Sequence, residues 1–94
     1  MVVMNDRNGS EAVFVFKGVP DAKQVFLVGD FNQWQPGSRR MSKYRDGTFR
    51  AKVALKPGKY QYKFVADGIW VNDPDAQEQV VNPFGTLNSL VRIG

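Results

Sequence analysis

Two tryptophans set in turns are the side chains of this sequence best placed to do chemistry. Trp34 closes Gly29-Asp30-Phe31-Asn32-Gln33-Trp34 after one apolar strand, and Trp70 closes Asp67-Gly68-Ile69-Trp70 after another. Tryptophan is on average a highly buried residue, and two exposed ones are a solubility cost unless they bind something. Both stand in loop composition: Asp30, Asn32 and Gln33 precede Trp34, Pro36-Gly37 follows it, and Trp70 sits just past Gly68. A flat aromatic face offered to solvent can stack on the apolar C–H face of a sugar ring. Lys63 alternates away from Tyr62 and Phe64, a few residues before Trp70, and its ammonium carries three donors for hydroxyls beside such a platform. Asn88 offers donors and an acceptor that suit a vicinal diol, although asparagine in a turn is often there for the backbone. A third segment, Asn82-Pro83-Phe84-Gly85-Thr86-Leu87-Asn88, joins the other two near the C-terminal end.

Catalytic readings find little to build on. Asp73 and Asp75 flank Pro74, and a pair of carboxylates is the minimum for glycoside hydrolysis. Beside a proline they fit better as turn initiators or acceptors for backbone amides. The chain has no histidine and no cysteine. It therefore lacks the commonest base for activating a serine, the commonest zinc ligand, and any disulfide. Gly29-Asp30-Phe31-Asn32 lacks the glycine spacing and lysine of a phosphate-cradling loop. The expectation is a non-enzymatic chain with no metal and no cofactor.

The elements that must position these residues read as all-β. Thr48 to Leu55 alternates, with Phe49, Ala51, Val53 and Leu55 on one face; after Pro57-Gly58, Tyr60, Tyr62 and Phe64 share a face and Gln61 and Lys63 take the other. Asp67-Gly68 is a tight-turn signal leading into Ile69-Trp70-Val71, so these three strands are expected as an antiparallel meander. Glu11 to Phe16, Val25 to Val28 and Leu87 to Ile93 are further strands, the first two separated by a loop around Gly18, Pro20 and Asp21. Phe31 to Lys43 is expected to hold a loop and one short strand, and Asn72 to Pro83 to cross over irregularly because Pro74 and Pro83 interrupt a ladder. No stretch sustains a helical apolar period with caps. About seven short strands with regular turn signals make an immunoglobulin-like antiparallel β-sandwich.

The 94 residues suffice for one domain, burying on the order of 65% of the unfolded surface. With 43% hydrophobic and 13% aromatic residues the composition is that of a globular chain. The partition expected is a flexible segment over residues 1–10 and the sandwich over 11–94. The longest apolar run, Ala12 to Phe16, cannot span a bilayer, and the first residues lack a basic leader, so the default compartment is the cytoplasm. A net charge of +4 scattered among nine acidic residues suits a solvated surface; Arg39-Arg40 is the one adjacent basic pair.

Taken in order, the stretches Val25 to Trp34, Tyr60 to Trp70, Asp73-Pro74 and Phe84 to Ser89 resemble family 48 carbohydrate-binding modules. Within that family they are most similar to the glycogen-binding domain of the beta subunit of AMP-activated protein kinase. The resemblance covers residues 11 to 93. It implies a β-sandwich that binds α-1,4-linked glucans such as glycogen, starch or maltooligosaccharides. It also implies Trp34 and Trp70 stacking on glucose rings, Lys63 and Asn88 bonding their hydroxyls, and a backbone or hydroxyl contact from Thr86. Phe84 stands where the kinase-type domain has an inserting leucine, and an aromatic there can stack instead of wedging. Ser89 replaces a second asparagine, which shortens or removes one polar contact. Related domains lie at the N-terminus of glycogen-branching and isoamylase-type debranching enzymes; many of those copies have lost the tryptophans and serve as packing elements.

The favoured expectation is a non-catalytic glucan-binding module with an α-glucan as partner. The alternative is a structural or regulatory appendage domain of a glycoside hydrolase family 13 enzyme or kinase complex, docking on protein rather than binding sugar, with a glucan-metabolising enzyme or kinase complex as partner. Single-stranded nucleic-acid binding ranks third, resting on exposed aromatics and positive charge, and neither nucleic acid nor membrane is expected as a partner.

Overall fold

The computed structural model describes residues 2–5, 11–17 and 21–93. In chain order the strands are β1 (Val2–Asn5), β2 (Glu11–Phe16), β3 (Val25–Gly29), β4 (Ser42–Lys43), β5 (Phe49–Ala54), β6 (Gly58–Ala66), β7 (Ile69–Val71), β8 (Glu78–Val81) and β9 (Leu87–Ile93). They form two antiparallel sheets: β1-β2-β5-β4, and β3-β6-β9-β8 with β7 also paired to β6. The only helical piece among the described residues is a 3-10 turn at Asp30–Asn32. The β-sandwich expected from the alternation is therefore the architecture found, with nine strands among the described residues in place of about seven.

Alternation decides which side each strand buries, and the core follows from it. Phe14 and Phe16 of β2 face inward, as do Tyr62 and Phe64 of β6 in the opposite sheet. Phe14 meets Tyr62 edge-on with ring centroids 5.0 Å apart, and Phe16 meets Phe64 at 4.7 Å. These ring pairs join the two layers across the interior, each adding to the apolar area that it buries.

Three expectations are corrected. Residues 1–10 are not a loose segment throughout: Val2–Asn5 pairs antiparallel with β2, and Val2 and Met4 pack against the core. Residues 6–10 lie outside those described, as does the Gly18–Pro20 part of the next loop. The meander fails at Pro57, because β5 pairs with β2 and β4 while β6 belongs to the other sheet. Alternation reports which face of a strand is buried, not which strand lies beside it, and here the chain crosses between layers. The crossover Asn72 to Pro83 contains β8, an edge strand that fits between the two prolines and is clipped by Arg92 Nε to Glu78 Oε1 at 2.9 Å. Prolines flanking an edge strand break no ladder.

Asp73 ties the crossover to the sheet. It is 1% exposed, accepts the Tyr62 hydroxyl at 2.7 Å and the Asp75 amide at 2.9 Å, and donates its own N–H to Ser89 Oγ at 2.7 Å. Burial, and then the bond to Asp73, hold the Tyr62 phenol well above its ordinary pKa, so it remains a neutral donor. Tyr62→Phe leaves one buried carboxylate oxygen without this donor and is expected to cost about 1–3 kcal/mol. For a domain of this size that lowers Tm by roughly 4–8 °C per kcal/mol. A thermal melt of Tyr62→Phe that matched the parent would show that the hydroxyl contributes nothing here.

Candidate functional site

Cross-strand partners share a face, so the register shows what the outer side of the second sheet displays. Lys63 is opposite Val28, Gln61 opposite Leu90, Trp70 opposite Val65, and Asn88 opposite Val80. Val28, Val65 and Leu90 are buried there without belonging to the main core cluster. The outer face thus carries an apolar layer of its own beneath a groove of about 720 Å³.

The segment after β3 builds one wall. Gly29 lies so close to β6 that a Cβ on it would sit 2.6 Å from the Gln61 carbonyl oxygen. Asn32 folds back, accepting the Gly29 amide and donating to the Leu27 carbonyl, both at 3.0 Å. Asp30 bridges two elements: Oδ2 accepts the Gln61 amide at 2.8 Å and Oδ1 accepts the Trp34 indole N–H at 3.0 Å. Gln33 and Trp34 both lie in the left-handed region, with φ of 55° and 56°. That conformation costs about 1 kcal/mol or more per non-glycine residue and persists where surrounding bonds enforce it. Here the Trp34 amide to the Gly29 carbonyl (3.0 Å) and the indole bond to Asp30 do so, fixing the angle of the ring.

The second wall is the β6–β7 hairpin. Asp67 and Gly68 both have positive φ, 49° and 84°, as a two-residue type I′ turn requires. The Asp67 carboxylate accepts the amides of Gln24 and Lys23, and those bonds hold its pKa below the ordinary value. Their contribution is complete above the ordinary carboxylate range and is lost as pH falls through the lower folded value. The hairpin presents Trp70, 45% exposed.

The third wall is the turn from Asn82 to Thr86, organised by one side chain. Asn82 Oδ1 accepts the amides of Phe84 (3.0 Å) and Thr86 (3.1 Å), while Nδ2 donates to Thr86 Oγ1 (2.6 Å) and Asn88 Oδ1 (3.0 Å). The Asn82 amide also bonds the Thr86 carbonyl at 2.8 Å. Phe84 sits at the tip, 90% exposed. Asn88, only 8% exposed, donates from Nδ2 to Gln61 Oε1 at 3.0 Å. Gln61, Asn88, Asn82 and Thr86 form a continuous side-chain relay along the floor and rim.

The six residues singled out from the sequence, Trp34, Lys63, Trp70, Phe84, Thr86 and Asn88, all line this groove. Asp30, Gln61, Asn82 and Pro83 line it as well and were missed. Gln61 was legible, since it shares a strand face with Lys63; Asp30 and Asn82 were not, because their bonds join residues that only the fold brings together. The free chemistry is narrower than residue type suggested. Both backbone groups of Thr86 are spent within the turn, leaving its hydroxyl hydrogen to donate. Asn88 keeps one N–H and one lone pair. Ser89 is buried on the opposite face, bonded to Asp73, and so lies outside the groove. Among the described residues no ion pair or hydrogen bond occupies the Lys63 ammonium, and both oxygens of Asp30, the one carboxylate of the lining, are already bonded. Asp73 is sealed in the interior, so no carboxylate pair faces the groove.

Comparison with known proteins is consistent across sequence and structure. Residues 10–94 match the family described as the glycogen recognition site of AMP-activated protein kinase. The chain is 33% identical over 91 residues to the 5'-AMP-activated protein kinase subunit beta-1 of Sus scrofa, covering 96% of the chain and 71% of that protein. It is 45% identical over 72 residues to Protein FLOURY ENDOSPERM 6, chloroplastic, of Oryza sativa subsp. japonica, covering 77% of the chain and 13% of that protein. Against the human beta-2 subunit it is 38% identical over 71 residues, 76% of the chain and 25% of the relative. Among solved structures, the maltogenic amylase from S. marinus superposes with a TM-score of 0.72 at 27% identity, over 89% of this chain and 13% of the amylase.

Proposed function

We propose that this chain, which belongs to the family of AMP-activated protein kinase glycogen recognition sites, binds α-1,4-linked glucans without cleaving them, in the groove between Trp34, Trp70 and Phe84. One observation carries the assignment to these residues: three aromatic side chains from separate segments flank one groove whose polar lining, the Lys63 ammonium apart, is pre-bonded. The Trp34 ring, held by its indole bond to Asp30, loses little side-chain freedom on binding, which is what a shallow site needs. Trp34 and Trp70 stack on glucose faces, Lys63 donates to hydroxyls, and Asn88 and the Thr86 hydroxyl supply the remaining polar contacts. Phe84, projecting from the rim, acts as a third stacking face.

Such a site displaces bound water and holds a single oligosaccharide modestly, while a polymer offering many sites binds more tightly. The test is a titration of maltoheptaose followed by tryptophan fluorescence, with cellohexaose as control, at low and high salt. A saturable change with the α-glucan only, nearly unaffected by salt, is expected because the ligand is neutral. No response to maltoheptaose at millimolar concentration would overturn the reading.

Asn82 is a positioning residue in this scheme. Asn82→Ala removes the acceptor of the Phe84 and Thr86 amides and the partner of Asn88. Maltoheptaose affinity is expected to fall about tenfold, the equivalent of one or two net hydrogen bonds. Amide exchange at Phe84 and Thr86 should rise with it. Unchanged affinity alongside faster exchange would show that the turn's order is irrelevant to binding.

The chain spans 13% of the rice protein and 25% of the human beta-2 subunit. This supports a second, compatible reading, in which the module is attached to, or acts with, a glucan-metabolising enzyme or kinase complex and directs it to polymer. The rice relative is named chloroplastic, so the cytoplasmic expectation does not follow from family membership. Among the described residues no helix is long and apolar enough to cross a membrane.

A further inference from the structure

The Arg39-Arg40 pair takes no part in the glucan groove. Residues 39–52 hold six of the thirteen basic residues and one of the nine acidic ones, a local net of +5 against −1 for the rest of the chain. The positive charge that reads as scattered overall is therefore concentrated in one segment. The fold then condenses it. Arg39 and Met41 pair with β3 through Leu27 N–H to Arg39 O (2.9 Å) and Met41 N–H to Val25 O (2.8 Å), and Ser42 and Lys43 pair with β5. This run closes one edge of the sandwich, linking the two sheets.

At that edge lies a smaller groove of about 190 Å³, lined by Arg39, Arg40, Ser42, Tyr44, Arg50 and Lys52. Two of its cations are held in place. Arg39 Nη2 donates to the Lys52 carbonyl at 2.7 Å, and the Arg50 guanidinium lies over the Tyr44 ring at 4.6 Å while pairing with Asp46 at 3.0 Å. Arg40 and the Lys52 ammonium have no hydrogen-bond or ion-pair partner among the described residues. Asp46 is the one carboxylate of the segment, and both its oxygens are engaged, by Thr48 and Arg50. Like charges brought together repel, so such an arrangement is most stable with an anion between them. Guanidinium forks match the oxygens of a phosphate, and the Ser42 and Tyr44 hydroxyls add donors.

We propose that this edge groove binds a phosphate group, either free or carried as a monoester on a sugar. Its volume suits one compact anion, and it shares no residue with the glucan groove, so the proposal stands whether or not the glucan reading holds.

The test is an amide-resolved NMR titration of the isotopically labelled chain at fixed ionic strength with inorganic phosphate, glucose 6-phosphate and glucose. Saturable shifts at Ser42, Tyr44 and Arg50 are expected with both phosphates, at millimolar affinity (about 4 kcal/mol), and none with glucose. Tighter binding of glucose 6-phosphate assigns a sugar ester as the natural ligand; equal binding assigns free phosphate. The Arg40→Gln, Lys52→Gln double variant should weaken phosphate about tenfold through the lost charge-assisted bonds. Lys56→Gln, Lys59→Gln removes the same charge outside the groove and should bind as the parent does. Shifts that grow without saturating, or that weaken equally in both double variants, would reduce the groove to a solvated basic surface and overturn the proposal.

Discussion

Trp70→Ala is expected to weaken maltoheptaose binding roughly 30-fold or more, a loss of about 2 kcal/mol, while leaving the fold in place. The side chain is 45% exposed on a three-residue strand, and its hairpin is secured independently by the Asp67-Gly68 turn and the Asp67 bonds to Lys23 and Gln24. Stability should therefore fall by less than about 1 kcal/mol, as for surface positions away from core contacts. Trp34→Ala should weaken binding comparably but cost more stability, because its indole N–H satisfies the same carboxylate that accepts the Gln61 amide. Calorimetric titration together with a urea melt separates the two effects. Full affinity in Trp70→Ala would remove the stacking platform from the scheme; a matching loss of stability would make Trp70 a structural residue.

Gly29→Ala is expected to destabilise the chain by about 1–3 kcal/mol, the range for overpacking a close contact. Gly29 has an extended backbone, with φ of 177°, that any residue could adopt, so the cost is steric. The added methyl would lie 2.6 Å from the Gln61 carbonyl oxygen and 2.8 Å and 2.9 Å from the edge of the Phe31 ring. Neither can withdraw freely: Gln61 is in the middle of β6, and Phe31 packs on Phe14 and Tyr60 with centroids at 5.4 Å and 6.4 Å. Relief would push the Asp30 turn away from Gln61, so glucan affinity should drop with stability. A denaturation midpoint equal to the parent's would show that the two strands can separate at no cost.

Several features were legible from residue order because they are local. Alternation in Phe49 to Leu55 and Tyr60 to Phe64 marked the buried faces, since side-chain direction along a strand is set by the backbone alone. Asp67-Gly68 announced its turn because two consecutive positive φ values demand such residues. Turn composition pointed to surface display of the tryptophans, which holds for Trp70 while Trp34 is half-buried, and the ordered set of segments pointed to the family.

What residue order could not hold was pairing between distant segments. A strand with one apolar face fits equally beside its predecessor or across the sandwich from it, and only the packed core, where Phe14 meets Tyr62 and Phe16 meets Phe64, decides. Hence the meander was expected where the chain crosses between sheets at Pro57. The same reason hid Asp30 and Asn82. Each acts through bonds to partners in other segments, Asp30 reaching Gln61 across 31 positions, and a polar residue in a loop looks the same in sequence whether or not such a partner exists. By itself, then, the sequence determined which faces are apolar, where the turns fall and which aromatic residues stand out in loops. The tertiary structure alone decided that Trp34, Trp70 and Phe84 share one groove, that Ser89 lies outside it, and that a basic segment closes the sandwich edge. Those are facts of distance between residues far apart in the chain, set by packing the two sheets together.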